Sequence, residues 1–263
     1  MNATLIEKIS PELSLVKYND LPVLEVNHPK MSAKIALQGA QLLSWQPHHT
    51  QQDALWLSEI EPFQQGTAIR GGVPICYPWF GTAKTPAHGT ARIREWRLVG
   101  HSSSAEAVHL VFGLENEAKI EMQLGETCEL YFTHLAQEPA QLALHSYFHI
   151  GDITAIEVQG LPTHCFDKLT DQEVGVPSPR TISENVDCIY AANPQNTIQD
   201  PVYQRKILIE HINATETVLW NPWHKATGGM SEKAYQKMVC VETARLSTLL
   251  QPNAKVGVKI SVQ

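Results

Sequence analysis

The feature that most limits what this chain can become is a succession of short apolar runs with a period of two. Leu13–Tyr18, Val23–Val26, Lys34–Leu37, Gln41–Trp45, Trp96–Val99, Val108–Phe112, Lys119–Leu124 and Cys128–His134 each alternate or pack apolar residues over strand length. Leu142–His149, Ile156–Val158, Lys206–Ile209, Thr217–Trp220, Met238–Glu242 and Lys255–Val262 continue the series. Long stretches of 3.6-residue periodicity are missing. The best helix candidate is short, Ser231 to Lys237, with Ser231 as its cap. A chain written this way is expected to fold as an all-β protein, a large antiparallel β-sandwich or a barrel, with few short helices. With 263 residues, 43% of them hydrophobic, there is enough side chain for a sizeable core. No Gly/Ser linker or internal repeat interrupts it, so residues 1–263 read as a single domain, with Val176–Arg180 a Pro-rich loop inside it.

Charge narrows the partners. Twenty basic residues against 27 acidic ones leave a formal charge of −7, a field that repels a nucleic-acid backbone. An anion must therefore be held by a local basic cluster. No window reaches the ~20 apolar residues of a membrane-spanning helix, and Met1–Ser10 lacks the basic and apolar blocks of a signal peptide. Five scattered cysteines without a C-x-x-C pair fit neither a disulfide framework nor a zinc site. A reduced, cytoplasmic protein is the expectation, without nucleic-acid or membrane partners, as a monomer or weak homodimer.

Four segments could carry chemistry. Ala68–Gly81 crowds Arg70, Gly71-Gly72, two prolines, Trp79 and Phe80 into a stretch that cannot be an ordinary strand. The paired glycines would let the backbone approach a ligand, and Trp79 could stack on a sugar. The bland reading is a kinked crossover with buried aromatics. Ala87–Arg92 brings His88 and a second arginine, Arg92. Two guanidiniums could clamp a phosphate, or serve as surface arginines or ion pairs. Leu144–Ile150, read as one strand, points His145, Tyr147 and His149 to one face. His145 then suits a general acid, while a metal site lacks the expected ligand spacing. His48-His49 reads as a solvated loop. Glu242 ends the apolar run Met238–Val241, where burial would raise its pKa toward that of a general base, unless it pairs with Arg245 or a lysine. Asp187 is a second carboxylate among apolar neighbours.

Taken in order, Arg70-Gly-Gly-Val-Pro74, Trp79-Phe-Gly81, His88-Gly-Thr-Ala-Arg92, Leu144-His-Ser-Tyr-Phe148, Val186-Asp-Cys-Ile-Tyr190, Trp220-Asn-Pro-Trp223 and Cys240-Val-Glu-Thr-Ala244 resemble the D-hexose-6-phosphate mutarotases of the aldose 1-epimerase superfamily. The matching blocks run from about Leu55 to Ala244. The resemblance implies a galactose-mutarotase-like β-supersandwich and a glucose-6-phosphate 1-epimerase that interconverts anomers through ring opening, with neither metal nor cofactor. It implies His145 as catalytic acid, Glu242 as catalytic base, Arg70 and Arg92 at the phosphate, and Asp187 on the sugar hydroxyls, with His88 lining the site. Ala87 departs from the family's usual Gln, which bears on substrate preference. Three rivals remain: an aldose 1-epimerase for unphosphorylated sugar, a non-catalytic sugar-phosphate-binding β-sandwich and a metal-dependent cupin-like enzyme. For the acid–base pair to work as written, His145 should be protonated and Glu242 ionised at rest.

Overall fold

The computed structural model describes residues 3–263 as three antiparallel sheets. Ala3–Lys8, Leu13–Tyr18, Leu21–His28, Met31–Ala36 and Gln41–Pro47 form a five-stranded meander in chain order. A second sheet has eight strands, in the spatial order Glu157–Gln159, Gln195–Asp200, Arg205–Ile212, Lys255–Val262, Thr127–His134, Ala118–Gly125, Ala107–Leu114 and Arg97–Ser103. The third, which carries the candidate site, runs Gln172–Gly175, His164–Asp167, Val186–Ala191, Glu216–Asn221, Met238–Leu250, Ala140–Leu144 and Ile75–Cys76. Tyr147–His149 adds to it by pairing with the start of Met238–Leu250.

The register explains the packing. In the second sheet Leu110 lies opposite Met122, Met122 opposite Leu130, Leu130 opposite Val258, and Val258 opposite His211. Residues directly opposite share a face, so this row is one stripe of the inner surface. Its last member, His211, contacts Thr243 Oγ1 on the third sheet at 2.8 Å through Nδ1 and Asn196 Oδ1 at 2.9 Å through Nε2. The two large sheets therefore face each other. The apolar core between them also takes in Trp45 and Trp96, whose ring N–H groups donate to the carbonyls of Gly125 and Ala91. All five cysteines are free and buried.

Period two has a second consequence. Thr243 points into the core, so Glu242 points to the opposite face of the site sheet. Asp187 lies opposite Trp220, Trp220 opposite Cys240, and Cys240 opposite Tyr147. That row shares its face with Glu242, two residues along from Cys240. One outward face of one sheet thus gathers residues from four distant strands.

Three local expectations change. The helix over 231–237 shrinks to a 3₁₀ turn at Ala234–Lys237, because Ser231 Oγ bonds to Glu59 Oε1 at 2.6 Å and makes no cap. Leu142–His149 is not one strand. Its ladder stops after Leu144, the His145 N–H turns to the Pro74 carbonyl (3.0 Å), and Ser146 N–H folds back on Leu144 (2.9 Å). Glu242 does not end its strand but sits inside the 13-residue strand Met238–Leu250.

Candidate active site

The break at His145–Ser146 turns the His145 ring toward Glu242. Its Nε2 lies 3.3 Å from Glu242 Oε1, and the two side chains are 9% and 1% exposed. His145 stacks on the Tyr147 ring (centroids 4.8 Å apart, planes at 14°) and meets the edges of His88 at 5.6 Å and Trp220 at 6.1 Å. That leaves the imidazole little freedom to turn. His145 Nδ1 and Glu242 Oε2 are buried and have no hydrogen-bond partner within the protein.

Burial sets the protonation of both groups. It pushes the Glu242 carboxyl well above its ordinary range, with Asp187 adding to the rise and Lys168 opposing it. It pushes the His145 imidazole well below its ordinary range, helped by His88, Arg70 and Arg92. The charge-free pair is thus favoured over the expected imidazolium–carboxylate. Desolvation outweighs mutual attraction for two fully buried charges.

Around the pair lies a cavity of about 340 Å³, within the size range of small-molecule sites. Arg70, Phe80, His88, Lys168, Asp187, Trp220 and Lys225 share its wall with His145 and Glu242. A larger depression of about 760 Å³ lies across the segment Pro222–Gly228, but it is lined from 222–236 alone and takes in neither His145 nor Glu242. Arg70 is held at three points. Its backbone N–H donates to Glu61 Oε2 (2.9 Å), Nε to the Gly228 carbonyl (3.1 Å) and Nη1 to Tyr147 Oη (2.9 Å). Lys168 donates to both Asp187 oxygens at 3.0 Å and lies 5.4 Å from the centre of the Phe80 ring.

His88 takes a left-handed backbone, φ 63°, and Gly89 follows at 78°. A Cβ on Gly89 would lie 2.0 Å from the Tyr77 carbonyl, so only glycine fits this close pass. The Gly81 N–H approaches His88 Nδ1 at 3.4 Å, so that nitrogen acts as acceptor. Burial and the cations Arg92, Lys168 and Arg70 lower the His88 pKa to about 3, which keeps this ring neutral.

Of the residues singled out from sequence, Arg70, His88, His145, Asp187 and Glu242 converge on this cavity. Trp79 does not. Its Nε1 donates to the Pro86 carbonyl at 2.9 Å, Lys84 covers its ring, and Phe80 lines the wall instead. Arg92 stands behind the wall on the 3₁₀ turn Ala91–Ile93, with Nη2 bonded to the Ala87 carbonyl (2.8 Å) and Nε buried without a partner. His149 turns away to Tyr203, 5.4 Å between ring centres. Gly71 and Gly72 admit neighbouring chain rather than ligand: a Cβ on them would lie 2.5 Å from the Trp56 carbonyl and 2.1 Å from that of Leu42. Arg245 bonds to the Thr248 carbonyl and leaves Glu242 alone. His48 and His49 bond to the carbonyls of Pro29 and Val262.

Lys168, Lys225, Phe80 and Trp220 escaped the sequence reading as site residues. Only pairing reveals Lys168: its N–H donates to the Asp187 carbonyl at 2.9 Å, which sets the two side chains together. Among the described residues, no group of three or more His, Cys, Asp or Glu side chains is placed to hold a metal ion.

Known proteins share this sequence and this fold. The aldose 1-epimerase family model matches residues 22–263. A Haemophilus influenzae protein named "Putative glucose-6-phosphate 1-epimerase" is 52% identical over 270 residues, covering all of both chains. The crystal structure of HI1317 superposes with a TM-score of 0.99 at 56% identity and full coverage of both chains. That of a Salmonella typhimurium protein titled a "putative mutarotase" gives 0.95 at 33% identity, over 99% of this chain and 96% of that one. A β-supersandwich, with a match to the family and to its relatives across nearly the whole length, places this chain in the aldose 1-epimerase family.

Proposed function

We propose that this isomerase interconverts the α and β anomers of a hexose 6-phosphate, glucose 6-phosphate above all. The carrying observation is the 3.3 Å approach of His145 Nε2 to Glu242 Oε1 in a cavity that also holds Arg70, Lys168 and Lys225. Ring opening needs a proton taken from the C1 hydroxyl and one given to the ring oxygen, two oxygens on one carbon. Two side-chain atoms this close reach both. Glu242 acts as base toward the C1 hydroxyl and His145 as acid toward the ring oxygen. The products are the open-chain aldehyde, neutral His145 and protonated Glu242. After rotation about C1–C2 the same two protons return and the ring closes on the other face.

The neutral pair that burial favours belongs with the aldehyde. Imidazolium with carboxylate belongs with the ring. Both forms hold the same number of protons, so the site gains and loses none over a turnover. The phosphate brings a charge of about −1.5 to −2, and Arg70, Lys168 and Lys225 answer it within a chain of net charge −7. A neutral sugar leaves those cations unanswered, which is how the site would select for the phosphate. In this reading Asp187, steadied by Lys168, binds the sugar hydroxyls.

The test is NMR exchange between anomeric C1–H signals for glucose, galactose and mannose, each with and without a 6-phosphate. Selective acceleration of a 6-phosphate, by about 10²-fold in kcat/KM over its free sugar, is the expected result. Equal acceleration of both classes would favour an aldose 1-epimerase of unphosphorylated sugar, and binding without exchange a non-catalytic sugar-phosphate protein.

A further inference from the structure

Tyr147 does not line the cavity, yet it touches both halves of the machinery. Its hydroxyl accepts from Arg70 Nη1 at 2.9 Å. Its ring lies parallel to His145 at 4.8 Å. The far face of the ring rests on Trp56 (5.8 Å, 29°), and Trp220 meets it edge-on at 6.0 Å. Its backbone is pinned too, because Tyr147 N–H donates to the Gly72 carbonyl (2.9 Å) and its own carbonyl accepts from Trp56 N–H (2.9 Å). The side chain is 2% exposed and has no room to swing.

We propose that Tyr147 is one positioning residue with two outputs, its hydroxyl fixing the guanidinium of Arg70 for the substrate's phosphate and its ring fixing the imidazole of His145 for proton transfer. The inference rests on the hexose 6-phosphate reading and adds the device that joins recognition to chemistry. The Gly228 carbonyl holds Arg70 by Nε alone, and a guanidinium held at one point swivels about that bond. A second point at Nη1 fixes the plane of the fork, so less freedom is lost when an anion binds. The imidazole meets Glu242 Oε1 through Nε2 at 3.3 Å, while Nδ1 has no protein partner. The parallel stack on Tyr147, with the edges of His88 and Trp220, sets the plane of its ring. One phenol thus registers the distance between the anion end and the reacting end of a substrate.

Two substitutions separate the outputs. Tyr147→Phe keeps the stack and removes the hydroxyl. It should raise KM for glucose 6-phosphate about tenfold, the effect of losing one hydrogen bond to a charged group, with kcat within about twofold and free-sugar kinetics unchanged. Tyr147→Leu should also lower kcat for every substrate by at least about tenfold, as expected from loose placement of a proton-transfer group. Titration with inorganic phosphate, followed by NMR, reads the anion half without any chemistry and should weaken about tenfold in Tyr147→Phe. An unchanged KM and unchanged phosphate affinity in Tyr147→Phe would overturn the proposal, as would an equal loss on phosphorylated and free sugars. If the wild-type protein fails to exchange glucose 6-phosphate, the functional reading fails, and the phosphate titration alone then decides whether Tyr147 serves Arg70.

Discussion

At the residue scale the central fact is that burial acts oppositely on His145 and Glu242, lowering the pKa of the imidazole and raising that of the carboxyl. Burial drives the pair toward its charge-free form, and the surrounding cations act on it in opposite senses, since Lys168 favours an ionised Glu242 while Arg70 and Arg92 disfavour a charged His145. A bound phosphate dianion opposes the two arginines at the imidazole and makes it easier to charge. Lys168 stands at the junction of these effects because it also holds both oxygens of Asp187. Lys168→Met should raise KM for the phosphorylated sugar about tenfold, the order expected for loss of a charge-assisted contact. It should also move the alkaline limb of the kcat/KM profile upward, because Glu242 loses a neighbour that favours its ionised form. Steady-state kinetics across pH check both effects, and an unaltered KM would remove Lys168 from the anion site.

At the element scale the strand Met238–Leu250 divides labour between its faces: Glu242 outward to the site, Thr243 inward to His211. Burial holds the His211 pKa down to about 4 and is the main force taking that of His88 to about 3. Both rings stay neutral in the folded protein and take a proton on unfolding below their ordinary 6.5. The unfolded state then binds more protons, so stability falls as pH falls, by up to about 1.4 kcal/mol per pH unit for each histidine. Buried His145 acts in the same sense. Glu242 acts oppositely, because its raised folded pKa favours stability at low pH. Urea midpoints between pH 6.5 and 5, above the carboxylate range, should decline with acid, and His211→Gln should flatten the slope by about one proton. An identical slope in that variant would contradict the assignment.

The same elements show what was legible beforehand. Leu13–Tyr18 and Lys255–Val262 emerge at the expected bounds, because no charged residue occupies their buried positions and apolar side chains fill nearly all of them. Gln195–Asp200 escaped because its inward residues are Asn196, Ile198 and Asp200, and polar groups satisfied inside break the apolar code. Asn196 is met by His211, and Asp200 accepts from the Gly151 N–H. Ala3–Lys8 was missed for the opposite reason: its residues are all exposed, so burial wrote no pattern into it. In the site, His145 and Glu242 were visible through chemical type and family motif. The contacts that Lys168 makes with Asp187 and Tyr147 with His145 and Arg70 were not, because they depend on cross-strand register and ring stacking. Trp79 misled because an aromatic beside glycine looks the same whether it faces a cavity or, as here, a lysine and a loop carbonyl.

At the scale of the whole molecule, two large sheets packed on a shared core fix an outward face on which side chains distant in sequence meet. The chain's net charge of −7 gives an anionic substrate no general attraction, so in the proposed function recognition would fall to the local cations Arg70, Lys168 and Lys225 of the cavity wall. The most direct test is magnetisation transfer between the α and β C1–H signals of glucose 6-phosphate, with wild-type protein, His145→Ala and Glu242→Gln at equal concentration. Wild-type protein should exchange the signals, and each variant, folded by circular dichroism, should lose about 10²- to 10⁴-fold in rate. Near-wild-type exchange in either variant would contradict the account.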